Sequence, residues 1–451
     1  MRVGIIGGGL SGLTTAFYLQ RACPGAELVV IEAEPRLGGK LRTVDVEGFR
    51  FECGANGFLT SKPEGLRLAE DLAAQSLLMP SSDLARKRFV YTNAMHRLPE
   101  SPPLFLKSPL LSPLQKLRVL GELFVPPRRD GKDETLREFG DRRLGRGFTD
   151  VFLDAMTAGV SGSTPEQLSV RAAFPLVVEL EQRHGGLFRG MFARRRKQAG
   201  PGGILMSYAG GISTLVERLR AALDAEWHVG DPALALEPRA DPAGRLGWLI
   251  RTRAQPDGIE VDRVAVCATS DSAASMIRGL DAELAERLGR IAYTPISIVG
   301  LGYRRRVAEL DGFGVLTTKS AKQPVLGVLW DSSIFPDRAP PGMQSVRVMI
   351  GGLRNPELAL QDQAGLIATA RRGLAQLMGL DAEPDVSFSC RWDRGIPNYP
   401  PGHLANVEAI YARVATHPGL YLGGNAYRGI AMNDCMRNSH ELAGQIAAGM
   451  G

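Results

Sequence analysis

The order of apolar and polar residues is most regular near the start of the chain. Val3-Gly4-Ile5-Ile6 is a short apolar run that predicts a buried parallel strand. A glycine-rich turn at residues 7–12 follows at once, and the apolar residues of 13–21 then recur at helical spacing. A second apolar run, Leu28-Val29-Val30-Ile31, ends in Glu32. The pattern predicts a strand, a tight turn, a helix and a strand that closes on an acid.

This unit has the features of a dinucleotide-binding site. Gly7 permits the tight turn, Gly9 lets the backbone approach a pyrophosphate, and Gly12 lets the helix pack close to the sheet. The phosphates would lie at the helix N-terminus, where free N–H groups favour negative charge. Glu32, 20 residues after Gly12, would accept hydrogen bonds from a ribose diol. An ordinary turn between a strand and a helix would leave this acid unexplained.

The rest of the chain changes pattern several times. Residues 263–268 form another buried apolar run, like the first strand. Between 296 and 351, short apolar runs separated by turn residues predict an antiparallel sheet. A last strand at 420–422 leads to a closing helix, for which Asn433 or Asp434 is the predicted N-cap.

The segment 102–123 is unusually apolar for an insertion. A helix predicted at 113–124 has four leucines on one side: Leu114, Leu117, Leu120 and Leu123. Three interpretations stay open at this point, namely the border of an apolar substrate channel, a membrane-facing patch, and ordinary helical core.

Composition and charge narrow the function classes. A chain of 451 residues predicts roughly two or three domains. The net charge is +6, and the basic runs at 194–197 and 304–306 indicate solvated faces rather than a nucleic-acid-binding surface. The five cysteines are scattered and the six histidines lack metal-ligand spacing, so we predict neither a disulfide framework nor a metal site. No signal peptide precedes the first strand, and we therefore expect a cytoplasmic protein.

The residues that follow the acid point to a flavin. Arg36-Leu37-Gly38-Gly39-Lys40 completes an E-x-x-x-R-x-G-G-[KR] run that resembles the second signature of the flavin amine oxidase superfamily. In that superfamily the basic side chains and glycine backbone hold the phosphate and ribitol of FAD. The resemblance implies non-covalent FAD rather than NAD.

A second loop would complete the flavin site. Gly54-Ala55-Asn56-Gly57 matches the loop that lies beside the isoalloxazine ring in this superfamily. The resemblance makes all four residues cofactor contacts and makes Asn56 the candidate catalytic residue, facing flavin and substrate together. The alternative is a simple turn with Asn56 in a left-handed conformation.

Nearly the whole chain resembles one branch of the superfamily, the oxygen-dependent protoporphyrinogen IX oxidases, and most of all their myxobacterial type. The matching motifs lie at 87–91, 158–162 with 167–169, 312–314, 335–336, 391–397, 424–427, 429 and 433–435. Unrelated amine oxidases share only the flavin signatures.

The resemblance implies roles for individual residues. Arg88 would pair with a substrate propionate, because a guanidinium fork fits a carboxylate. The other substrate-binding positions are Gly159 at the mouth of the pocket and the apolar Phe313, Leu316, Phe335 and Met349. The remaining flavin contacts are Ala233, Trp392, Gly424, Gly429, Ile430 and Ala431. Ala431 departs from the family, which has glycine there, so a positive φ at this position would alter the flavin geometry.

The implied reaction is the six-electron oxidation of protoporphyrinogen IX to protoporphyrin IX in haem biosynthesis. A hydride leaves a meso carbon for flavin N5, a pyrrole N–H loses a proton, and molecular oxygen reoxidises the flavin with release of hydrogen peroxide. Three rounds aromatise the ring. Coproporphyrinogen III oxidation is the nearest alternative. More distant ones are another FAD amine oxidase or desaturase, and an FAD-stabilised binding protein without activity.

The resulting fold prediction is an α/β protein with a Rossmann-type FAD-binding domain built from discontinuous segments. That domain takes 1–82, 203–290 and 386–451. An antiparallel-sheet substrate domain takes the hairpin 83–104 and residues 291–385, and a helical insertion, with a membrane-facing role left open, takes 105–202. The predicted partners are a porphyrinogen and oxygen, without nucleic acid. Peripheral contact with the cytoplasmic face of the cell membrane, and a homodimer, are further arrangements that the sequence leaves open.

Overall fold

The structure is a computed structural model that describes residues 1–195, 203–240 and 246–449. Arg196 and Lys197 of the basic run noted above lie outside the described residues. The strands are β1 (Arg2–Ile6), β2 (Glu27–Glu32), β3 (Thr43–Val46), β4 (Phe49–Glu52), β5 (Phe58–Leu59), β6 (Leu78–Pro80), β7 (Arg88–Tyr91), β8 (Met95–Arg97), β9 (Leu205–Tyr208), β10 (Glu226–Val229), β11 (Ala233–Ala240), β12 (Leu246–Thr252), β13 (Ile259–Val261), β14 (Arg263–Val266), β15 (Tyr293–Tyr303), β16 (Gly314–Thr317), β17 (Gly327–Leu329), β18 (Gln344–Gly351), β19 (Val386–Pro397) and β20 (Leu420–Leu422).

The α-helices alternate with these strands and also form the insertion between β8 and β9. They are α1 (Leu10–Ala22), α2 (Glu64–Asp71), α3 (Pro102–Lys107), α4 (Pro113–Leu120), α5 (Leu136–Arg143), α6 (Arg146–Phe148), α7 (Asp154–Ser161), α8 (Val170–Ala173), α9 (Pro175–His184), α10 (Leu187–Arg195), α11 (Ser213–Ala222), α12 (Ser270–Ile277), α13 (Ala282–Gly289), α14 (Asp331–Ile334), α15 (Pro356–Ala359), α16 (Gln363–Met378), α17 (His403–Val414) and α18 (Met432–Ala448).

The first of the two large sheets is parallel and has five strands in the order β10-β2-β1-β14-β20. The predicted strand–turn–helix–strand unit at the start of the chain is confirmed as β1, α1 and β2. The five strands come from distant parts of the chain, as expected of a domain assembled from separate segments. The exact domain limits remain a prediction.

Both faces of this sheet are covered, which explains why its strands are apolar throughout. Val3, Ile5 and Val30 pack on the side that α1, α11 and α18 cover. Ile6 and Val266 pack on the other side, against the antiparallel sheet β11–β13 and the helices α12, α13 and α17. With its sides closed, the sheet offers its strand ends to a ligand.

A seven-stranded sheet forms the second layer system, in the order β19-β15-β18-β17-β16-β7-β8. The antiparallel prediction is confirmed for every pair in it except β16 and β7, which are parallel. Val299, Val328 and Val348 on one face pack against Leu366 and Leu374 of α16. The opposite face is left for the site described below.

The insertion from α3 to α10 is helical, and its polar and apolar side chains are distributed in an unusual way. Arg143 and Glu122 form an ion pair with neither side chain exposed. By contrast Leu114, Leu117 and Phe124 are 79%, 65% and 86% exposed, so the interpretation of this side as ordinary helical core is wrong. Within the described residues no helix is long and apolar enough to cross a membrane.

Candidate active site

The carboxyl ends of the parallel strands meet at one edge of the sheet. Gly7 donates to the carbonyl of Ile31 at 2.8 Å, and Cys267 donates to the carbonyl of Ile6 at 2.7 Å. The chain leaves each of these strands at the same edge. Ligands of open α/β sheets bind outside such an edge, so the structure places the predicted dinucleotide site where this architecture favours it.

The glycine turn after β1 keeps α1 close to the sheet and leaves its backbone open on the other side. A Cβ added at Gly12 would lie 1.8 Å from the carbonyl oxygen of Gly7, so only glycine allows this approach. A Cβ at Gly9 would meet nothing nearer than the Cα of Gly39 at 3.9 Å. Gly9 is also the N-cap of α1 and carries no capping side chain. The turn therefore presents open space and free N–H groups, as a pyrophosphate requires.

Glu32 ends β2 and is buried beside this turn. Its carboxylate accepts hydrogen bonds from the backbone N–H of Gly8 at 2.6 Å and of Glu34 at 2.8 Å. A carboxylate has about four acceptor sites, so capacity remains for a ribose diol. Ala233 begins β11 close by, because Asp231 donates to the carbonyl of Glu32 at 3.0 Å.

The second glycine-rich signature lies across the first one. Gly38 donates to the carbonyl of Gly8 at 2.8 Å, which joins the two loops. Arg36 donates to the carbonyl of Gly39 at 2.8 Å and lies 5.9 Å from the ring of Trp392. The structure thus brings together four residues that the sequence placed at the flavin only by resemblance.

Lys40 follows this signature and lies 5.2 Å from the centre of the Tyr293 ring. Loss of solvent lowers the pKa of Lys40 to about 8, although Cys435 and Asp271 oppose the shift. A lysine so placed is only partly protonated above neutral pH. A bound phosphate would restore its charge.

The closing helix α18 points its N-terminus at the same region, but its cap is not the predicted one. Ala431 is the N-cap, without a capping side chain, and its φ of −74° is one that alanine adopts freely. The expected distortion at Ala431 is therefore absent. The prediction that Asn433 or Asp434 caps the helix is wrong, because both side chains make tertiary contacts. Asn433 accepts from Gly65 at 3.0 Å, and Asp434 pairs with Lys62 at 2.6 Å.

The loop that precedes α18 contains two glycines with a positive φ. Gly424 and Gly429 have φ values of +114° and +69°. Ile430 lies between Gly429 and the helix and packs against the insertion.

The loop at 54–57 carries a side chain whose amide nitrogen has no partner. Asn56 accepts a hydrogen bond from Arg347 through Oδ1, and its buried Nδ2 has no partner within the part of the chain that the structure describes. Asn56 is not among the residues with positive φ, so the interpretation as a left-handed turn residue is wrong. The free N–H groups are available to a ligand.

Arg347 is the principal site residue that sequence analysis missed. It is fully buried, donates through Nε to Asp331 at 2.6 Å and through Nη1 to the carbonyl of Glu52 at 2.6 Å. Burial raises the pKa of Asp331, and Arg347 opposes this. The sequence does contain a sign of this residue, because one arginine interrupts the apolar run of β18. A charge in a buried strand is costly unless it is paired, so it indicates a specific role.

Sheet register places the predicted substrate residues on the face opposite α16. Arg88 pairs with Gly314, and Leu316 pairs with Gly327, which pairs in turn with Met349. Arg347 is two residues before Met349 and shares its face. The insertion closes over this face, because a Cβ at Gly159 would lie 2.6 Å from Leu316 Cδ2.

Two aromatic residues complete the set in different environments. The guanidinium of Arg88 is exposed and lies 5.3 Å from the centre of the Phe313 ring. Phe335 is only 1% exposed and packs with Ala85 and Ile334. Phe313 is partly buried and belongs to the same apolar cluster as Phe335, and a substrate contact stays a prediction for both.

Comparison with known proteins identifies one family. The profile of the family described as flavin containing amine oxidoreductase matches residues 10–447. The chain is 30% identical to the protoporphyrinogen oxidase of Bos taurus, over 98% of this chain and 97% of the bovine protein. It is 25% identical to the coproporphyrinogen III oxidase of Bacillus subtilis (strain 168), over 96% of this chain and 95% of that protein. A crystal structure from Exiguobacterium sp. 255-15, provisionally named a protoporphyrinogen oxidase, has a TM-score of 0.87 at 25% identity, covering 99% and 98% of the two chains.

We expect the affinity for FAD to fall as pH rises from 7 to 9.5. Lys40 loses its proton near pH 8 in the FAD-free protein, so binding of a phosphate above that pH must also restore the proton. The dissociation constant should rise about tenfold, since one charge-assisted contact is weakened. Titration of FAD-free protein with FAD, followed by flavin fluorescence, measures this.

Two lysine-to-arginine variants provide the comparison. Lys40→Arg keeps its charge over this range and should make the affinity nearly independent of pH. Lys132→Arg, an exposed position in the insertion, should behave as the parent does. An unchanged pH profile in Lys40→Arg would show that another group titrates.

Proposed function

The chain belongs to the family of flavin-containing amine oxidoreductases, and from that premise we propose that it oxidises protoporphyrinogen IX to protoporphyrin IX with molecular oxygen. It is an FAD-dependent oxidoreductase. The observation that carries the proposal is the site face, where exposed Arg88 lies beside Phe313 at the rim of an apolar strip formed by Leu316 and Met349. A large apolar ring would pack on this strip, and a carboxylate arm of the ring would pair with Arg88. The protoporphyrinogen oxidases among its relatives support the same substrate.

The electron balance requires three equal rounds. When bound, FAD accepts a hydride from the ring and passes two electrons to oxygen, which leaves as hydrogen peroxide. The substrate therefore loses six electrons and six protons in total, and three oxygen molecules are consumed. Arg88 holds a propionate so that the ring keeps one orientation through a round. Leu316 and Met349 keep water from the reacting carbon.

Asn56 is the residue we propose for the contact between flavin and substrate. Its Oδ1 is fixed by Arg347, so its Nδ2 has one preferred direction, and no acceptor among the described residues competes for it. Such an oriented donor stabilises negative charge that develops near it. Arg347 acts through Asn56 and is a positioning residue.

Oxidation of coproporphyrinogen III is the second candidate. The Bacillus subtilis relative favours it, since that protein aligns along almost the whole chain. Coproporphyrinogen III carries four propionates, so it needs more cations around the ring than protoporphyrinogen IX does. Turnover of both porphyrinogens by the same preparation separates the two, and we expect the higher kcat/KM with protoporphyrinogen IX.

We further propose that the insertion contacts an anionic lipid surface. Leu114, Leu117 and Phe124 recur on one side of α4 and the turn after it, and all three are strongly exposed. The exposed basic residues Lys107 and Arg118 lie on the same segment. Apolar side chains flanked by cations are typical of helices that lie in a membrane interface. A homodimer also remains a prediction, which light scattering checks.

The first prediction of this function concerns the arginine at the rim. Arg88→Ala should lower kcat/KM for protoporphyrinogen IX by roughly ten- to a hundredfold, mainly through KM, because a hydrogen bond to a charged group is lost. FAD content should stay unchanged. The kcat/KM of Arg88→Lys should lie between those of the parent and of Arg88→Ala, because lysine keeps the positive charge but lacks the two-pronged guanidinium.

Arg86→Ala is the matched control for this variant. Arg86 lies two residues away and is 68% exposed, and its ion-pair partner among residues 1–195, 203–240 and 246–449 is the exposed Asp83. Its kcat/KM should equal that of the parent enzyme. A parental kcat/KM in Arg88→Ala would overturn the proposed substrate orientation. If protoporphyrinogen IX fails to bleach the flavin under anaerobic conditions, the proposed function itself is wrong.

The second prediction concerns the oriented amide. Asn56→Ala should lower kcat by roughly ten- to a hundredfold, the cost of one hydrogen bond to a charge that develops in the transition state. KM and FAD content should change little. Stopped-flow measurement of flavin reduction isolates this step from reoxidation by oxygen. A normal reduction rate would mean that Asn56 makes no such contact.

The third prediction concerns the apolar side of the insertion. The variant Leu117→Ser/Phe124→Ser should bind vesicles of anionic phospholipid at least about tenfold more weakly, because two large apolar side chains no longer transfer from water. Added salt should weaken the electrostatic part alone and leave residual binding by the parent protein. Sedimentation with vesicles measures both.

The control for the vesicle experiment removes apolar residues elsewhere. Leu234 and Leu246 are 53% and 60% exposed on the antiparallel sheet, far along the chain from the insertion. Leu234→Ser/Leu246→Ser should bind vesicles as the parent does. Equal loss in both double variants would assign binding to general surface hydrophobicity.

A further inference from the structure

A polar cavity of about 710 Å³ opens beyond the end of β16 that is remote from Arg88. The loop after β16, the segment after β18 and the helix α16 line most of it. Its size lies within the range of clefts that hold small molecules, about 300–1,000 Å³. None of the residues assigned above to flavin or substrate lines this cavity.

The charges around the cavity are strongly unequal. Four cations line it, namely Lys319, Lys322, Arg354 and Arg372, against the single carboxylate of Glu166. That carboxylate is already paired with Arg137 at 2.9 Å, on the outer side of the insertion. Within the described part of the chain, Lys319, Lys322 and Arg372 have no carboxylate within salt-bridge distance. The cavity therefore keeps an excess of positive charge.

The floor of the cavity contains a buried guanidinium with an unused donor. The Arg354 side chain is 7% exposed and is held by Thr317, whose carbonyl accepts from Nη1 at 2.7 Å, and by Asp154 at 2.9 Å. Its Nε has no partner among the described residues. Buried polar atoms are nearly always hydrogen-bonded, so this donor indicates a missing acceptor.

The lining also has the neutral groups that recognise oxygen-rich ligands. Asn355, Gln167 and Gln376 contribute amides, and Thr164 and Thr318 contribute hydroxyl groups. Such groups orient a charged ligand without adding charge of their own. The mixture differs from the apolar strip beside Arg88, which suits a ring rather than a compact anion.

We propose that this cavity binds a small organic anion that carries at least two carboxylate or phosphate groups. Two ammonium groups and one guanidinium would bind the anion at the mouth of the cavity, namely those of Lys319, Lys322 and Arg372. Arg354 would donate a further hydrogen bond from a fixed position at the floor. The two candidate chemistries share their negative oxygens, so the geometry does not choose between them. Lys319 also links this site to the insertion, because its backbone N–H donates a hydrogen bond to the carboxylate of Asp154 on α7 at 2.6 Å.

The test is calorimetric titration of the FAD-loaded enzyme with pyrophosphate and, separately, with citrate. At least one probe should bind, and tighter binding of pyrophosphate or of citrate assigns the phosphate or the carboxylate chemistry. The variant Lys319→Gln/Lys322→Asn/Arg372→Gln should weaken that binding by at least about tenfold. Asparagine is used at 322 because the backbone there has a φ of +50°, which asparagine tolerates. All three positions are exposed, so the fold should be retained.

The control removes three exposed arginines elsewhere, Arg183→Gln/Arg305→Gln/Arg306→Gln, with the same loss of charge. Its dissociation constant for the tighter-binding probe should stay within about twofold of the parent value. Absence of binding by both probes overturns the proposal. So does equal weakening in the two triple variants, which would assign binding to net charge alone. Because neither probe is a porphyrinogen, failure here leaves the oxidase function untouched.

Discussion

The buried guanidinium of Arg347 joins the two halves of the site. It lies on β18 of the seven-stranded sheet, yet two of its bonds go to Glu52 and Asn56 on the segment beside the predicted flavin position. Asp331, the first residue of α14, balances its charge at 2.6 Å. Removal of one partner of such a pair costs about 3–5 kcal/mol, because the other charge stays buried and uncompensated. Arg347 thus helps to hold the substrate face and the flavin loop in their mutual position, together with the buried Arg338–Glu52 pair at 3.1 Å.

The two sheets make different contributions to the proposed active site. The parallel sheet offers strand ends, and the helices that start at Gly9 and Ala431 have no capping side chain there. Their free N–H groups are the proposed partners of the phosphate and of the reduced ring. The mixed sheet offers a face, where alternate side chains point to the ligand and the others to α16. A cofactor with a charged tail and a flat reactive head needs both kinds of surface. This division explains why neither sheet alone forms the site.

Local sequence predicted the elements whose causes are local. The turn at Gly7, Gly9 and Gly12 follows from steric limits within a few residues, and it is found as expected. The cap of α18 was mispredicted because Asn433 and Asp434 are taken by Gly65 and Lys62, about 370 residues away in sequence. The parallel pairing of β7 with β16 is non-local in the same way. Such contacts depend on the assembled fold, and a single sequence holds no record of them.

The helical insertion reverses the usual distribution of polar and apolar groups. Its interior holds the unexposed pair of Arg143 and Glu122, while Leu114 and Phe124 on its exterior are 79% and 86% exposed. Burying two charges costs several kcal/mol per ion before their attraction is counted, so apolar burial alone would not select this arrangement. The exposed leucines also forgo roughly 1.5–3 kcal/mol each that burial would give. Under the proposed contact with a lipid surface, the exposed apolar side chains regain this burial in the membrane interface instead of in the protein core.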